Sequence, residues 1–243
     1  MRQIMTFVAL LLLVSSAYAQ ANKKGSATTG AKKDAPAKTV KKSKFNFCPD
    51  NKHPHAIDLD LPSGTLWSCC NVGADIPEES GGFYAYAELK EKKSYSYMTY
   101  KYHEGSDSDR GYTKWFTEGI CGTEYDVAHV LWGEGWQIPS APQIDELIRH
   151  CIYEYVTIDS ISGGKFIGPN GNMIFIPAAG YRDSTPEPKL VGQGFCPSGT
   201  SPDANPLVGA MGEFYFDTSG CFLDTKRGRK YTGYTVRPVF DER

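Results

Sequence analysis

Apolar residues repeat with helical spacing in one segment of the chain, after residue 140. The spacing i, i+3, i+4, i+7 predicts a helix that buries one face, and its members are Ile144, Leu147, Ile148 and Cys151. Ser140 and Gln143 are spaced as in a capping box, and Pro142 lies in the first turn, where a missing N–H costs nothing. Trp136 and Ile138 come directly before the helix, and we expect them to fix its direction.

Strands are predicted by short alternating or β-branched segments. These segments are 56–59, 65 toward 70, 165–167, 173–176, 214–216, 221–223 and 234–240. Asn170-Gly171 predicts a hairpin turn, residues 217–220 predict another, and Pro238 favours an edge position for the last strand. Residues 94–102 form either a strand or an extended loop, and 125–132 a short helix.

The first 45 residues have a different composition from the rest. Residues 1–19 combine one early charge, an apolar run and Ala17-Tyr18-Ala19, which is typical of a secretory signal peptide cleaved after Ala19. The run is too short to span a bilayer, and no later segment is long enough, so we expect no transmembrane span. Residues 20–45 hold eight lysines and one acid and predict a disordered Lys/Ala-rich linker.

Charge is divided unevenly along the chain. The linker has a formal charge of 8 − 1 = +7, whereas residues 46–243 hold 17 basic and 27 acidic residues, or −10. The basic tail either makes electrostatic contact with an anionic surface or is a soluble spacer. We expect no nucleic-acid partner for an exported protein.

Seven cysteines favour disulfides in an oxidising compartment, although the odd number leaves one thiol over. The chain has no C-x-x-C pair. His53-Pro54-His55 follows Cys48, but two histidines without a third ligand are weak evidence for a metal. We therefore predict no metal site and no cofactor.

Four segments in order resemble a known family of exported bacterial domains. They are 56–74, 125–148, 168–182 and 233–239. Together they resemble the Fibrobacter succinogenes major paralogous domain (FISUMP) family. The resemblance implies an α+β, C-type-lectin-like fold over 46–243, with twisted antiparallel sheets, two short helices and long loops. The Gly-Trp-x-x-Pro-Ser segment also resembles formylglycine-generating enzymes, which share that fold type.

The resemblance also bears on the cysteines. The family often carries cysteines at the positions of Cys70 and Cys151, which implies a bridge between them. Cys196 stands where the family has an aromatic residue and Cys221 lies in the next hairpin, which suggests a second bridge. Pairing of Cys48 with Cys121, which leaves Cys69 free, completes the scheme.

The function that the resemblance implies is an exported, non-enzymatic binding or adhesion module for an envelope or extracellular ligand, either a glycan or a protein. The candidate ligand-binding residues are Tyr95, Tyr97, Tyr100, Tyr102, Asp183, Phe195, Asp203 and Asn205. The tyrosines alternatively serve strand packing. A structural accessory subunit of a surface assembly is the first alternative, and an enzyme related in fold to formylglycine-generating enzymes the second. No catalytic residues are predicted, and periplasm, cell surface and release all remain open.

Overall fold

The computed structural model describes residues 48, 50, 52–103, 114, 116–200 and 210–241. All of them belong to one compact unit, Val40–Arg243. The predicted signal peptide, 1–19, and linker, 20–45, lie outside the described residues. Among the described helices none has the length and apolar character that crossing a membrane requires.

Antiparallel strands and two helices make up the domain, which confirms the α+β class. The strands are β1 (Ala56–Asp58), β2 (Leu66–Ser68), β3 (Phe83–Tyr84), β4 (Trp136–Gln137), β5 (Ile152–Ile158), β6 (Ile161–Ile167), β7 (Met173–Pro177), β8 (Gly194–Pro197), β9 (Ala210–Asp217), β10 (Gly220–Arg229), β11 (Tyr234–Thr235) and β12 (Val239–Phe240). The helices are α1 (Val127–Trp132) and α2 (Ala141–His150), and Tyr97–Thr99 forms a single 3₁₀ turn.

The described strands form four small sheets. Their orders are β1-β2-β12-β4, β10-β9-β8, β11-β3 and β5-β6-β7. Every strand pair is antiparallel. The first sheet joins the beginning of the domain to its end, because β12 pairs with β2 and with β4.

Helix α2 begins and packs as its sequence predicts. Ser140 is the N-cap, and both halves of the capping box with Gln143 are present. Ile144 and Leu147 are completely buried. They join Trp67 and Phe166 in one apolar cluster, so the predicted face is the face that holds the helix on the sheets.

Two strand predictions need correction. The segment 234–240 is not one edge strand, because β12 lies between β2 and β4. Pro238 is tolerated there because it precedes β12, and its carbonyl accepts a hydrogen bond from Ser68 N at 3.0 Å. Strand β5 was not predicted, and it forms a hairpin with β6 through Asp159 and Ser160, both with positive φ.

The structure contains none of the predicted disulfides, because no two of the seven cysteines lie at bonding distance in it. Cys196 pairs with Phe214 of β9 on one side, and Cys221 pairs with Phe216 of β9 on the other. With β9 between them, the two cysteines are separated by two strand spacings, about 9–10 Å, and by a further offset of two residues along the strands, which exceeds the reach of a disulfide. The pairing of Cys196 with Cys221 is therefore wrong for this fold, and Cys70 and Cys151 are not bridged either.

Candidate functional site

A surface cavity of about 520 Å³ brings together several residues predicted to bind a ligand. Its lining consists of Tyr95, Ser96, Tyr97, Met98, Asp183, Ser184 and Tyr231. We call it the Tyr97 groove. Its volume falls within the range of small-ligand sites.

Backbone hydrogen bonds hold the two walls of the groove together. The amide of Tyr95 donates to the carbonyl of Asp183 at 2.7 Å. On the first wall, Ser96 N donates to Thr99 Oγ1 at 3.0 Å and closes the 3₁₀ turn. The Tyr95 hydroxyl donates to the carbonyl of Phe83 at 2.5 Å, so this side chain is an anchor beneath the groove.

The groove presents aromatic faces next to a charged group. The rings of Tyr97 and Tyr231 meet edge to face, with centroids 6.2 Å apart. Asp183 forms an ion pair with Lys189 and accepts a hydrogen bond from the amide of Thr185. Loss of hydration is the largest single influence on Asp183 and opposes ionisation, but the hydrogen bonds from Lys189 and Thr185 together outweigh it and lower the pKa of this carboxyl. An ionised acceptor therefore lies beside apolar ring surface.

Only some of the eight residues predicted to bind a ligand line the groove. Tyr95, Tyr97 and Asp183 line the Tyr97 groove. Tyr100 is 1% exposed and donates its hydroxyl to the carbonyl of Tyr86, and Phe195 is 3% exposed within an apolar cluster. Burial excludes direct ligand contact by these two and by Tyr95, which is also 1% exposed and supports the groove from beneath, so the prediction is corrected for all three.

The remaining predicted residues lie away from the groove lining or outside the described chain. Tyr102 is partly buried and packs edge to face on Phe116 and Tyr125, at centroid distances of 5.3 and 5.9 Å. Asp203 and Asn205 lie outside the described residues.

A second cavity, of about 740 Å³, has an acidic wall that the sequence did not single out. Asp75, Glu78 and Glu79 are among its lining residues, together with the apolar Ile161 and Val191. Glu79 accepts a hydrogen bond from the amide of Asp75 at 2.8 Å. These acids are close in sequence, and a local turn brings them together.

A cluster of two cysteines and two histidines lies where the chain enters β1. Its members are Cys48, His53, His55 and Cys69, and one donor atom from each lies within 4.8 Å of all the others. We call it the Cys48 cluster. The sulfur of Cys69 is its centre, at 3.1 Å from His53 Nδ1 and 3.5 Å from His55 Nδ1.

Hydrogen bonds between the thiols set the charge of the Cys48 cluster. Those from Cys48 and Cys70 lower the pKa of Cys69. The same bonds to Cys69, together with burial, raise the pKa of Cys48 and of Cys70. Ionisation is therefore favoured at Cys69 over Cys48 and Cys70.

The strand pairing predicted from the sequence also places Cys69 beside the two histidines, although the prediction did not use it. Residues 56 and 68 are partners in the β1–β2 pair, so continuing the register by one residue places Cys69 opposite His55. The amide of Cys69 donates to the carbonyl of His55 at 3.0 Å, as that register requires. Extending the predicted hairpin would have supplied the third ligand that His53 and His55 lacked.

Comparison with known proteins found no matching family model, no matching curated protein and no matching solved structure.

Proposed function

We propose that this chain is an exported, non-enzymatic binding module whose ligand lies in the Tyr97 groove, on a C-type-lectin-like frame. The observation that carries the proposal is the convergence of Tyr97 and Asp183 in one cavity, above the buried ring of Tyr95. These residues come from segments about 90 positions apart, which the amide of Tyr95 joins to the carbonyl of Asp183. The proposal of a C-type-lectin-like fold is supported by the four segments that resemble the FISUMP family and by the antiparallel sheets with two helices.

A glycan is the ligand class that the groove fits best. Sugars offer C–H faces that pack on aromatic rings, and hydroxyls that hydrogen-bond to carboxylates. Tyr231, which is half-buried, and the exposed edge of Tyr97, 8% of that residue, supply ring surface, and Asp183 supplies the ionised acceptor. Met98, at 55% exposure, adds an apolar rim that adapts to the shape of a ligand.

Export is part of the proposal and has its own test. It rests on the signal-like residues 1–19, which lie outside the described chain. Expression in a Gram-negative host and mass spectrometry of the mature protein are expected to find Gln20 as the first residue. Retention of residues 1–19 on a protein found in the cytoplasm would contradict export without affecting the groove.

Glycan-array screening of the mature protein, followed by titration with the best ligand, tests the groove. Tyr97→Ala and Tyr231→Ala are each expected to weaken binding about tenfold, which corresponds to about 1.4 kcal/mol. Phe222→Ala is the matched control, because Phe222 is an aromatic residue at 41% exposure that does not line the groove. Equal losses in all three variants would contradict the assignment of the site.

An empty array combined with specific capture of an envelope protein would favour a structural accessory subunit instead. The same two tyrosine variants decide whether the groove is then the contact surface. Turnover of an envelope polymer by the protein would contradict the non-enzymatic assignment.

A further inference from the structure

We propose that Cys48, His53, His55 and Cys69 form a binding site for one zinc ion, which fastens the start of the domain to the end of β2. The site is separate from the Tyr97 groove and does not depend on the function proposed for it. It contradicts the expectation from the sequence that the chain has no metal site.

The distances suit tetrahedral coordination. Zinc binds sulfur at about 2.3 Å and imidazole nitrogen at about 2.0–2.1 Å, so ligand atoms around it are separated by about 3.3–3.8 Å. Both contacts between Cys69 Sγ and a histidine Nδ1, at 3.1 and 3.5 Å, are close to that range. All four donor atoms lie within 4.8 Å of one another, so the widest separation needs a contraction of about 1 Å.

Asp50 orients one of the ligands. Its Oδ1 lies 3.0 Å from Nε2 of His55, while Nδ1 of the same ring faces Cys69. A proton on Nε2, shared with the carboxylate, leaves the lone pair on Nδ1 directed at the metal position. Such a carboxylate partner on the far nitrogen is the usual companion of a metal-binding histidine.

The donor set selects zinc over harder cations. Two thiols and two imidazoles suit zinc, whereas calcium and magnesium require oxygen ligands. With four protein ligands the coordination shell is complete, which is the mark of a structural rather than a catalytic zinc site. Its effect is to tie residues 48–55 to the sheet immediately before β1.

In an oxidising compartment, oxidation of these thiols to a disulfide competes with zinc binding. Cys48 and Cys70 both lie within hydrogen-bonding distance of Cys69. Zinc coordination protects thiolates from oxidation because the metal occupies the sulfur lone pairs. The two fates exclude each other for Cys48 and Cys69, so they are distinguishable in one sample.

Metal analysis of the mature protein, purified with zinc and without chelator, tests the proposal. One zinc per chain is expected, with Cys48 and Cys69 free after denaturation in EDTA. Replacement by cobalt is expected to give a thiolate-to-cobalt charge-transfer band and the strong visible bands of a tetrahedral site.

Three variants locate the ion and two act as controls. Cys69→Ser and His55→Ala are expected to lose the zinc, and Asp50→Asn to bind it about 10- to 100-fold more weakly. Cys151→Ser and His150→Ala change the same residue types outside the cluster and are expected to keep it. Asp50→Asn leaves all four ligands in place, so its result stands even if the ligand variants misfold.

Three outcomes would overturn the site. One is a Cys48–Cys69 or Cys48–Cys70 disulfide in protein that binds no zinc after reduction. The second is cobalt bound without the charge-transfer band. The third is an affinity for zinc that is equal in Asp50→Asn and in the unsubstituted protein.

Discussion

The carboxylate of Asp126 accepts a hydrogen bond from the amide of Ile138 at 2.8 Å, which links the start of α1 to the segment before α2. The same oxygen accepts from the amide of Gly122, and the other oxygen accepts from the amides of Ala128 and His129. Asp126 is completely buried. One side chain therefore caps a helix and joins three segments of backbone.

Asp126→Ala is expected to reduce the free energy of unfolding by about 2 kcal/mol or more, because it removes a helix cap and leaves buried amides without an acceptor. Asp126→Asn, which keeps one oxygen, is expected to lose less. Urea unfolding followed by fluorescence measures both. Asp145→Ala, at an exposed acid of α2, is the control, and an equal loss there would contradict the role given to Asp126.

The sequence predicted local structure well because the signals for it are local. The capping box of Ser140 and Gln143 and the apolar spacing of Ile144 and Leu147 are read within ten residues, and the structure confirms both. The turn at Asn170-Gly171 joins β6 and β7 for the same reason, since Gly171 adopts a positive φ of 82°.

Relations between distant segments could not be predicted in the same way. Pro238 indicated an edge strand, but whether a two-residue strand has one neighbour or two depends on pairing with β2 and β4. The bridge between Cys196 and Cys221 failed because sequence proximity to neighbouring hairpins does not reveal the strand between them.

The residues of the candidate sites were also predicted only as far as local sequence allows. Tyr95 and Tyr97 were picked for their aromatic rings, and the structure adds Tyr231, which is distant in sequence. Tyr95 and Tyr100 follow the same tyrosine-rich pattern, yet each is 1% exposed and anchored by its hydroxyl on a backbone carbonyl. A pattern of residue types identifies candidates, and the tertiary packing determines which of them are open to a ligand.

Leu147 is expected to be among the most costly residues to truncate. Leu147→Ala removes a completely buried side chain from the α2 face and is expected to cost about 2–5 kcal/mol of unfolding free energy. Leu131→Ala on α1, where the leucine is 53% exposed, is the matched control and is expected to cost far less. Thermal and urea unfolding of the two variants give the comparison, and similar losses would contradict the packing of α2.

Arg237 is expected not to tolerate lysine. Its buried guanidinium donates to Asn71 Oδ1 at 2.8 Å, to Ser68 O at 3.0 Å and to Phe175 O at 2.8 Å. An ammonium cannot reach three acceptors in that planar arrangement, so Arg237→Lys is expected to lose about 2 kcal/mol or more. Arg149→Lys, at a side chain 71% exposed, is expected to change stability by less than about 0.5 kcal/mol. Equal free energies of unfolding in urea for the two variants would contradict the role given to the three hydrogen bonds of the Arg237 guanidinium.

Glu213 is expected to make the free energy of unfolding depend on pH, in a direction set by the shift of its pKa. Burial raises the pKa of its carboxyl, and the hydrogen bond with Tyr234 and the charge of Arg227 only partly oppose this. Because the folded pKa lies above the unfolded value, ionised Glu213 costs stability at neutral pH. That cost declines as the pH falls through the folded pKa and is gone below the unfolded pKa.

Glu213→Gln removes the titrating group. Its stability relative to the unsubstituted protein is therefore expected to be more favourable at pH 7 than at pH 4. Urea unfolding at several pH values measures the difference, with Glu134→Gln as the exposed reference. A relative stability that improves on acidification would show that the sign is wrong.

Thiol alkylation distinguishes the cysteines of the β8–β10 sheet. Burial raises the pKa of both Cys196 and Cys221 to about 11, so both are protonated and slow to react at neutral pH. Cys196 is 1% exposed whereas Cys221 is only partly buried, so iodoacetamide is expected to label Cys221 in the native protein and Cys196 only after unfolding. Peptide mass spectrometry over time measures both rates without any substitution. Equal labelling rates would contradict the burial of Cys196, and a disulfide between the two would contradict the placement of β9 between them.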